Sequence, residues 1–290
     1  MKFQIFYGTD RTAMRRFCRQ AAVNNSPATV IVPEQFSLSG ESGFLDLQRQ
    51  GVQVSSFRRL AHELFEQTGN IGEYVAGTAK VILMERALQD CASSLTVYRG
   101  CVEKRGFAGT LCQTVAEFKH TEITPEQLLE GQKNASPLLQ NKLNDLACIY
   151  QAYQTLLDQT GRDADDDLTR LCRLLEEGKY PCSDRSFLLY YFTGFTVQER
   201  CVIRALSERS RQMMIGMITE ECTAGQDEKL CFWSTKRNIA SFSDLSPQLV
   251  YVPGDEEGRA RELVHLSNGY FSYPTKVWKG ETPGITVMSA

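Results

Sequence analysis

The stretch "KFQIFYGTDRTAMRRFC", residues 2–18, decides the fold class. A short apolar run from Phe3 to Tyr7 predicts a buried strand, Gly8 permits a tight turn, and residues 12–24 have a helical pattern. Strand, glycine turn and helix, in this order, are the elements of a phosphate-binding loop. They also form an ordinary strand-to-helix turn, so the side chains have to separate the two interpretations.

The side chains of this turn lack the chemistry of a nucleotide site. Set on the pattern G-x-x-x-x-G-K-[ST], the stretch offers Gly8 but has Ala13, Met14 and Arg15 where the second glycine, the lysine and the hydroxyl residue belong. P-loop enzymes also hold Mg²⁺ through an aspartate at the end of a neighbouring apolar strand, and Tyr190 stands at the end of the run "LLYY". We therefore expect neither ATP nor Mg²⁺ to bind.

Short apolar runs recur along the chain, and most lack polar alternation, as do strands that are buried on both faces of a parallel sheet. They lie at Phe3–Tyr7, Thr29–Val32, Val52–Ser55, Phe187–Tyr191, Met213–Ile218, Leu249–Val252 and Ile285–Met288. Helical patterns lie between many of them, at 12–24, 41–49, 57–68, 197–209 and 258–271. This alternation predicts a doubly wound α/β sheet. The capping-box spacing of Thr196 and Glu199 predicts the start of one helix.

The middle third of the chain breaks the alternation. In "SPLLQNKLNDLACIYQAYQTLLDQTG" (136–161), apolar residues recur at intervals of three and four, which predicts a long amphipathic helix. Further helices are predicted at Phe107–His120, Pro125–Gly131 and Asp165–Glu177. We therefore predict an all-α insertion over residues 78–182 within an α/β domain formed by residues 1–77 and 183–290.

Composition excludes several classes of protein. The 32 Lys and Arg residues against 35 Asp and Glu residues give a net charge of −3, so a site for a polyanion has to be local. Ten cysteines stand singly, without a C-x-x-C pair, and the chain has three histidines, so we expect no metal site. The run "DADDD" (163–167) is better explained by helix capping.

The cellular location and the extent of the chain are also expectations from the sequence. Unpaired thiols inside apolar patterns, no signal peptide and no apolar stretch long enough to cross a membrane favour a cytoplasmic protein without membrane association. The stretch "GITVMSA" (284–290) has a strand pattern that breaks off at the last residue. We expect the chain to be part of a longer polypeptide.

Six blocks of sequence resemble a known family. In order, they are similar to the N-terminal part of the B subunit of the AddAB (RexAB) helicase–nuclease. The blocks are "VIVPEQFSLSGE" (30–41), "VSSFRRLAHELFEQTG" (54–69), "AEFKHTEITPEQL" (116–128), "LQNKLNDLACIYQAYQTLL" (139–157), "FTGFTVQE" (192–199) and "LVHLSNGYFSYP" (263–274). Six ordered blocks at plausible spacing are more specific than any one of them.

The resemblance implies a protein related to superfamily 1 helicases, with a P-loop NTPase (RecA-like) parallel sheet and an inserted helical subdomain. It also implies a partner, the catalytic helicase/nuclease of the AddA/RexA type, and a role in processing double-strand DNA ends for recombinational repair. Many members have an intact G-R-S-G-S-G-K-T loop and an aspartate where Tyr190 stands here. The nuclease domain and the iron–sulfur cysteines of the family lie beyond residue 290, so no cluster is expected in this chain.

The resemblance also implies which residues contact single-stranded DNA, which the family scans for a recombination hotspot. The matching positions are Gln35, Ser37, Phe57, Arg59, His62 and Phe192. Aromatic faces stack on unpaired bases, arginine binds phosphate or guanine, and glutamine reads a base edge. These positions follow predicted strand ends, where open α/β sheets bind ligands.

Each of these positions also has a purely structural interpretation. Phe57 and Phe192 can be core aromatics, and Gln35 can be a turn residue. Arg59, with its neighbour Arg58, can belong to a solvated helix face, and His62 can be a polar group on an amphipathic helix.

Three functions follow from these alternatives. The first is a DNA-end-processing subunit with an inactive ATP site and a cleft for single-stranded DNA. The second is a structural module that docks the catalytic partner without DNA binding of its own. The third is an ATPase with an unusual loop, which no lysine near Met14 supports.

Overall fold

A computed structural model of the chain describes residues 2–220, 232–254, 260–269, 274, 276–286 and 288. Its centre is a sheet of six strands, all paired in parallel. The strands are β1 (Phe3–Gly8), β2 (Ala28–Ile31), β3 (Val52–Ser55), β4 (Ser186–Leu189), β5 (Gln212–Ile218) and β6 (Gln248–Tyr251). The predicted parallel α/β sheet is therefore confirmed.

The strand order explains why most strands read as continuous apolar runs. The order is β3-β2-β4-β5-β1-β6, so β1, β2, β4 and β5 lie inside the sheet. Ile5 of β1, for example, stands between Ile215 of β5 and Leu249 of β6. Inner strands are covered on both faces, which requires apolar residues on both. The strand predicted at Ile285–Met288 is wrong for Ile285, Thr286 and Met288, and Val287 lies outside the described residues.

Helices cover both faces of the sheet. They are α1 (Arg11–Asn24), α2 (Ser37–Phe44), α3 (Phe57–Gln67), α4 (Gly77–Cys91), α5 (Phe107–His120), α6 (Pro125–Glu130), α7 (Pro137–Thr160), α8 (Asp167–Glu176), α9 (Val197–Arg209), α10 (Trp233–Ala240) and α11 (Arg261–Gly269). Buried residues of α1 and α2 share a core with one face, and those of α3, α8, α9 and α10 share a core with the other. This is a doubly wound arrangement.

Local chemistry sets several of the helix boundaries. The predicted capping box is present, because the Glu199 N–H donates to Thr196 Oγ1 (3.2 Å) and the Thr196 N–H donates to Glu199 Oε2 (2.7 Å). The helix predicted at 41–49 is wrong in its bounds: α2 begins at Ser37 and ends at Phe44, and a 3₁₀ helix, Leu45–Gln50, follows. Positions 258, 259, 270 and 271 of the last predicted helix lie outside the described residues.

The helical segment between β3 and β4 has a core of its own. Buried side chains of α4, α5, α6 and α7, from Val75 to Leu157, form one apolar cluster. The last helix of the segment, α8, instead contributes Leu171, Leu174 and Leu175 to the core on the sheet. Helix α8 therefore joins the helical segment to the sheet.

A buried ion network supports this junction. The Lys119 ammonium contacts Asp163 (2.6 Å) and Asp166 (2.9 Å), and Lys80 pairs with Asp163 and with Asp165 (2.9 Å). Asp163 also caps the 3₁₀ helix Ala164–Asp166 by accepting from the Asp165 N–H (3.0 Å), as predicted. Two ammonium groups therefore pair with three of the four carboxylates of the "DADDD" run.

Candidate functional site

The turn after β1 is short, and several of its amide groups have partners within the chain. Helix α1 begins at Arg11, and Asp10 caps it: Asp10 Oδ1 accepts from the N–H groups of Thr12 (2.8 Å) and Ala13 (3.0 Å). The Met14 N–H donates to the Asp10 carbonyl (3.0 Å). A carboxylate of this chain thus occupies the place where a helix N-terminus receives an anion.

Gly8 has a packing role at the end of β1. A β-carbon at this position would lie 2.4 Å from the Val252 carbonyl oxygen, where the end of β6 crosses close to β1. The Val252 N–H donates to the Tyr7 carbonyl (2.8 Å), which fixes this approach. Close packing against Val252 therefore explains why position 8 is a glycine, without a bound phosphate.

Met14 and Tyr190 fill the space between α1 and the sheet. Met14 is fully buried and Tyr190 is 4% exposed, and both belong to the core on the α1 face. A β-carbon on Gly216 of β5 would lie 2.6 Å from Cys18 Sγ, 3.3 Å from Tyr190 Cδ2 and 3.6 Å from Met14 Sδ. Burial raises the pKa of the Cys18 thiol and of the Tyr190 hydroxyl above their ordinary values. Met14 and Tyr190, which the sequence analysis compared with the lysine and aspartate of a P-loop site, are therefore both part of the core on the α1 face.

The remaining positions of this turn differ in their exposure. Ala13 is buried against the sheet. Arg15, at the hydroxyl position, is exposed and lies beside α2, where its Nη2 would be 3.2 Å from a β-carbon on Gly43. No group of His, Cys, Asp or Glu side chains in the described residues is arranged to hold a metal ion.

A cavity of about 320 Å³ lies at the carboxyl ends of β2, β3 and β4, beneath the helical segment. Its lining includes Val32, Pro33, Glu34, Ser56, Phe57, Arg58, His120, Ala164, Asp165, Asp167, Leu168, Phe192, Thr196, Gln198 and Glu199. The Ser56 hydroxyl donates to Glu34 Oε1 (2.5 Å), which connects the loop after β2 to the loop after β3. The strand ends and the helical segment thus share one cavity.

Two of the predicted DNA contacts meet in this cavity. Phe57 and Phe192 pack edge to face with 5.6 Å between ring centroids, and Phe192 also packs on Phe195 at 5.0 Å. Phe57 is 5% exposed and Phe192 is 8% exposed, and both belong to the core on the sheet. Each ring is a core residue that also lines the cavity.

The other four predicted contacts lie outside the cavity lining. Gln35 is exposed on a 3₁₀ helix, Glu34–Phe36, and Ser37 is half-buried at the start of α2. Arg59 pairs with Glu41, which raises the pKa of its guanidinium. His62 is exposed, with its ring 5.4 Å from the Tyr74 ring. These side chains provide polar groups on α2, α3 and the loop after β2.

The charge of the cavity is mostly negative. Glu34, Asp165, Asp167 and Glu199 line it, and Arg58 and His120 are its basic residues. Burial raises the pKa of Asp167 and of Glu199, whereas the Asp165 carboxylate raises the pKa of His120. Asp167 Oδ2 accepts from the Tyr74 hydroxyl (2.9 Å), and its buried Oδ1 has no hydrogen-bond partner among the described residues. The cavity therefore suits an uncharged ring or a hydrogen-bond donor better than a phosphate.

The sequence analysis missed an aromatic pair that follows β2 and β4. The rings of Phe36, after β2, and Tyr191, after β4, stack with centroids 5.6 Å apart and an interplanar angle of 28°. Phe36 is 38% exposed. The available signal was the doublet of aromatics that directly follows β4, because two adjacent rings at a strand end form one aromatic cluster when the backbone turns there.

The fold and the site define an α/β protein with a six-stranded parallel sheet and a cavity at the carboxyl ends of its strands. Residues 8–249 match the family described as "ADDB, N-terminal", and the chain belongs to this family. In the described residues, no helix is long and apolar enough to cross a membrane.

Relatives named as the B subunit of an ATP-dependent helicase/deoxyribonuclease are similar over the whole chain. The relative from Caldanaerobacter subterraneus is 26% identical over 313 residues, covering 100% of this chain and 27% of that protein. The relative from Clostridium botulinum strain Hall is 26% identical (99% of this chain, 27% of that protein). The relative from Acetivibrio thermocellus is 27% identical (100% and 27%). The chain thus spans about a quarter of the length of these relatives.

Proposed function

We propose that this chain is the N-terminal portion of an AddB-type protein, the B subunit of a helicase/deoxyribonuclease that processes double-strand DNA ends for recombinational repair. In this proposal the strand-end surface binds single-stranded DNA, and the turn after β1 has no ATPase activity. One observation carries it: the nucleotide position is filled by Asp10, Met14 and Tyr190, while the neighbouring strand ends surround an open cavity.

The strand order supports a RecA-like origin of the sheet. Strand β1 lies inside the sheet, helix α1 follows it, and the connection from β1 leads toward β2 whereas that from β5 leads toward β6. Such a reversal of direction creates a crevice at the carboxyl ends of the strands. We assign residues 1–77 and 183–290 to a helicase-like α/β domain and residues 78–182 to a helical insertion, with the junction at α8.

The six predicted contact residues divide into two roles. Phe57 and Phe192 offer ring edges inside the cavity, where an unpaired base is protected from water. Gln35, Ser37, Arg59 and His62 stand on the surrounding surface and bind base edges or phosphates. Arg59 has to leave Glu41 to reach a phosphate, and an exposed ion pair contributes only about 0–1 kcal/mol.

We propose that this segment does not hydrolyse ATP. A triphosphate at the turn after β1 would meet the Asp10 carboxylate instead of free amide groups. We propose that the energy for DNA unwinding comes from the partner, the catalytic helicase/nuclease of the AddA/RexA type. Any iron–sulfur cluster belongs, in this proposal, to the part of the protein beyond residue 290. This division leaves the strand ends of the present chain free for DNA.

The second candidate function is a docking module for the AddA-type partner without DNA binding. Large apolar side chains on α2 and just after it support this alternative, because Leu38 is 79% exposed and Leu45 is 61% exposed. Exposed apolar patches mark protein interaction surfaces, and this alternative needs both leucines to contribute to one patch.

Fluorescence anisotropy with labelled oligothymidine distinguishes the two functions. The first function predicts binding that weakens with salt, and weaker binding of the double variant Gln35→Ala/Arg59→Ala. The matched control is Arg86→Ala, which removes an exposed arginine paired with Asp90 on the helical segment. Phe57→Ala is tested together with thermal melting because its ring is buried. Absence of DNA binding together with binding to the AddA-type partner would support the docking module instead.

A further inference from the structure

A row of four aromatic rings runs from the core to the surface at the carboxyl edge of the sheet. Phe44 contacts Tyr190 with centroids 6.5 Å apart, Tyr190 contacts Tyr191 at 4.2 Å, and Tyr191 stacks on Phe36 at 5.6 Å. The inner rings are buried, at 0% exposure for Phe44 and 4% for Tyr190, whereas Phe36 is 38% exposed. The row therefore presents one open aromatic ring on a rigid support.

The backbone at Tyr191 holds the row in place. Its φ is 71°, a left-handed conformation that is uncommon for a residue other than glycine. Such a conformation is unfavourable and persists only where the surrounding contacts require it. Here it places the Tyr191 ring between Tyr190 and Phe36. The unusual backbone of Tyr191 therefore allows its ring to support Phe36.

Two arginines lie at the inner end of the row. The Tyr190 hydroxyl is 3.5 Å from the Arg11 carbonyl oxygen, and the Arg15 guanidinium lies over Gly43, next to Phe44 in the chain. Both arginine side chains are exposed, and neither forms an ion pair with a residue in the described part of the chain. These two positive charges are available to a phosphate group.

We infer that Phe36, stacked on Tyr191, forms a second contact with single-stranded DNA, in which an unpaired base lies on the open Phe36 face, and that Arg11 and Arg15, at the other end of the row, receive phosphates further along the strand. This inference rests on the proposed function, because it extends the DNA surface from the cavity toward α1. An open aromatic face, with guanidinium groups further along the same surface, is the combination that binds single strands without sequence preference. The charge and the planarity together favour a nucleic acid over an apolar protein segment.

The test uses a set of variants at Phe36 in the 290-residue chain. Loss of one stacked base weakens binding about fivefold or more, so Phe36→Ala and Phe36→Leu are both expected to lose at least about fivefold in affinity for oligothymidine. Phe36→Tyr keeps the ring and is expected to bind like the wild type. The matched control is Phe17→Ala on α1, because Phe17 is 37% exposed and packs on Phe6 away from the strand ends.

Salt dependence tests the arginines separately. Removing one phosphate contact lowers the slope of log affinity against log salt concentration by about 0.7 for a single strand, so Arg15→Gln is expected to show this change and Phe36→Ala is not. Wild-type affinity in Phe36→Leu, or equal losses in Phe36→Ala and Phe17→Ala, would overturn the inference and leave the proposed function intact. If Phe36→Ala weakens binding to the AddA-type partner but not to DNA, the row is a protein contact and the inference is wrong. Absence of DNA binding by the wild type overturns both proposals.

Discussion

Substituting Met14 by lysine tests whether the turn after β1 is an empty nucleotide cradle or a filled part of the core. The substitution restores the one side chain that a P-loop requires most for the β/γ-phosphates. In the structure, however, Met14 is fully buried, and its neighbours are Cys18, Tyr190 and Gly216. We predict that Met14→Lys destabilises the fold and does not create ATP binding.

The magnitude follows from the cost of burying an ammonium group without a partner. An unperturbed lysine has a pKa of about 10.4, so keeping it neutral at a pH of about 7.5 costs about 2.9 × 1.36, or about 4 kcal/mol. For a chain of this size, each kcal/mol lowers Tm by about 2–4 °C, which predicts a decrease of about 8–16 °C. Met14→Leu conserves volume and apolar character, and is expected to cost less than about 1.5 kcal/mol.

The dependence on pH gives this prediction a specific signature. The lysine pKa would be lower in the folded state than in the unfolded state, so the unfolded state binds more protons and stability increases with pH. Urea unfolding of Met14→Lys is therefore expected to recover about 1.4 kcal/mol per pH unit, relative to Met14→Leu, as the pH approaches about 10.4. A variant that is as stable as the wild type and gains thermal stability with Mg-ATP would refute the reasoning, because binding at about 100 times Kd adds about 2.7 kcal/mol.

Three further predictions concern packing, pH and a buried carboxylate. Gly216→Ala places a β-carbon 2.6 Å from Cys18 Sγ and is expected to cost about 1–3 kcal/mol in urea unfolding, a loss that Cys18→Ala in the same chain partly reverses. The contact with Asp165 raises the pKa of His120 above 6.5. The stabilisation from this contact is therefore complete below pH 6.5 and is lost as the pH rises through the raised pKa. We expect His120→Gln to remove this part of the pH dependence of the urea midpoint. Asp145, 2% exposed, accepts from the backbone N–H groups of residues 96–98 and from the Thr96 hydroxyl, so Asp145→Asn is expected to lower the free energy of unfolding by about 2–3 kcal/mol, measured against the exposed control Asp90→Asn.

The sheet could be predicted because its signals are local. Strands buried on both faces have to be apolar on both, so runs such as Met213–Ile218 stand out without any knowledge of their neighbours. Helix starts were equally clear where a side chain caps the backbone, as at Thr196. The helix at 41–49 was misplaced because Gly40 and Gly43 lower local helix propensity, and packing against Val32 and Arg15 decides where the helix forms.

The site was less predictable because it depends on pairs that are distant in the chain. Lys119 and Asp163 are 44 residues apart, and Phe36 and Tyr191 meet only because β2 and β4 are neighbours in the sheet. Gln35 and Phe36 lie in the same block of the family resemblance. The sequence alone does not show that the Phe36 ring packs on Tyr191, which follows a different strand. Likewise, the buried state of Phe57 and Phe192 depends on α3 and β4 packing together.

The residues after β4 take part both in the core beneath α1 and in the proposed DNA contact at Phe36. Tyr190 turns inward, where its ring lies beside Gly216 in the core on the α1 face. Tyr191 follows with a left-handed backbone, so its ring faces Phe36 at the surface. Introducing an aspartate at 190 would therefore remove the ring that supports Tyr191, as well as leaving a cavity beside Met14. If Phe36 binds DNA through this row, an aspartate at position 190 would weaken the DNA contact, because Tyr191 and Phe36 depend on the Tyr190 ring for support. Tyr190→Asp is accordingly expected to weaken oligothymidine binding without creating any response to Mg-ATP.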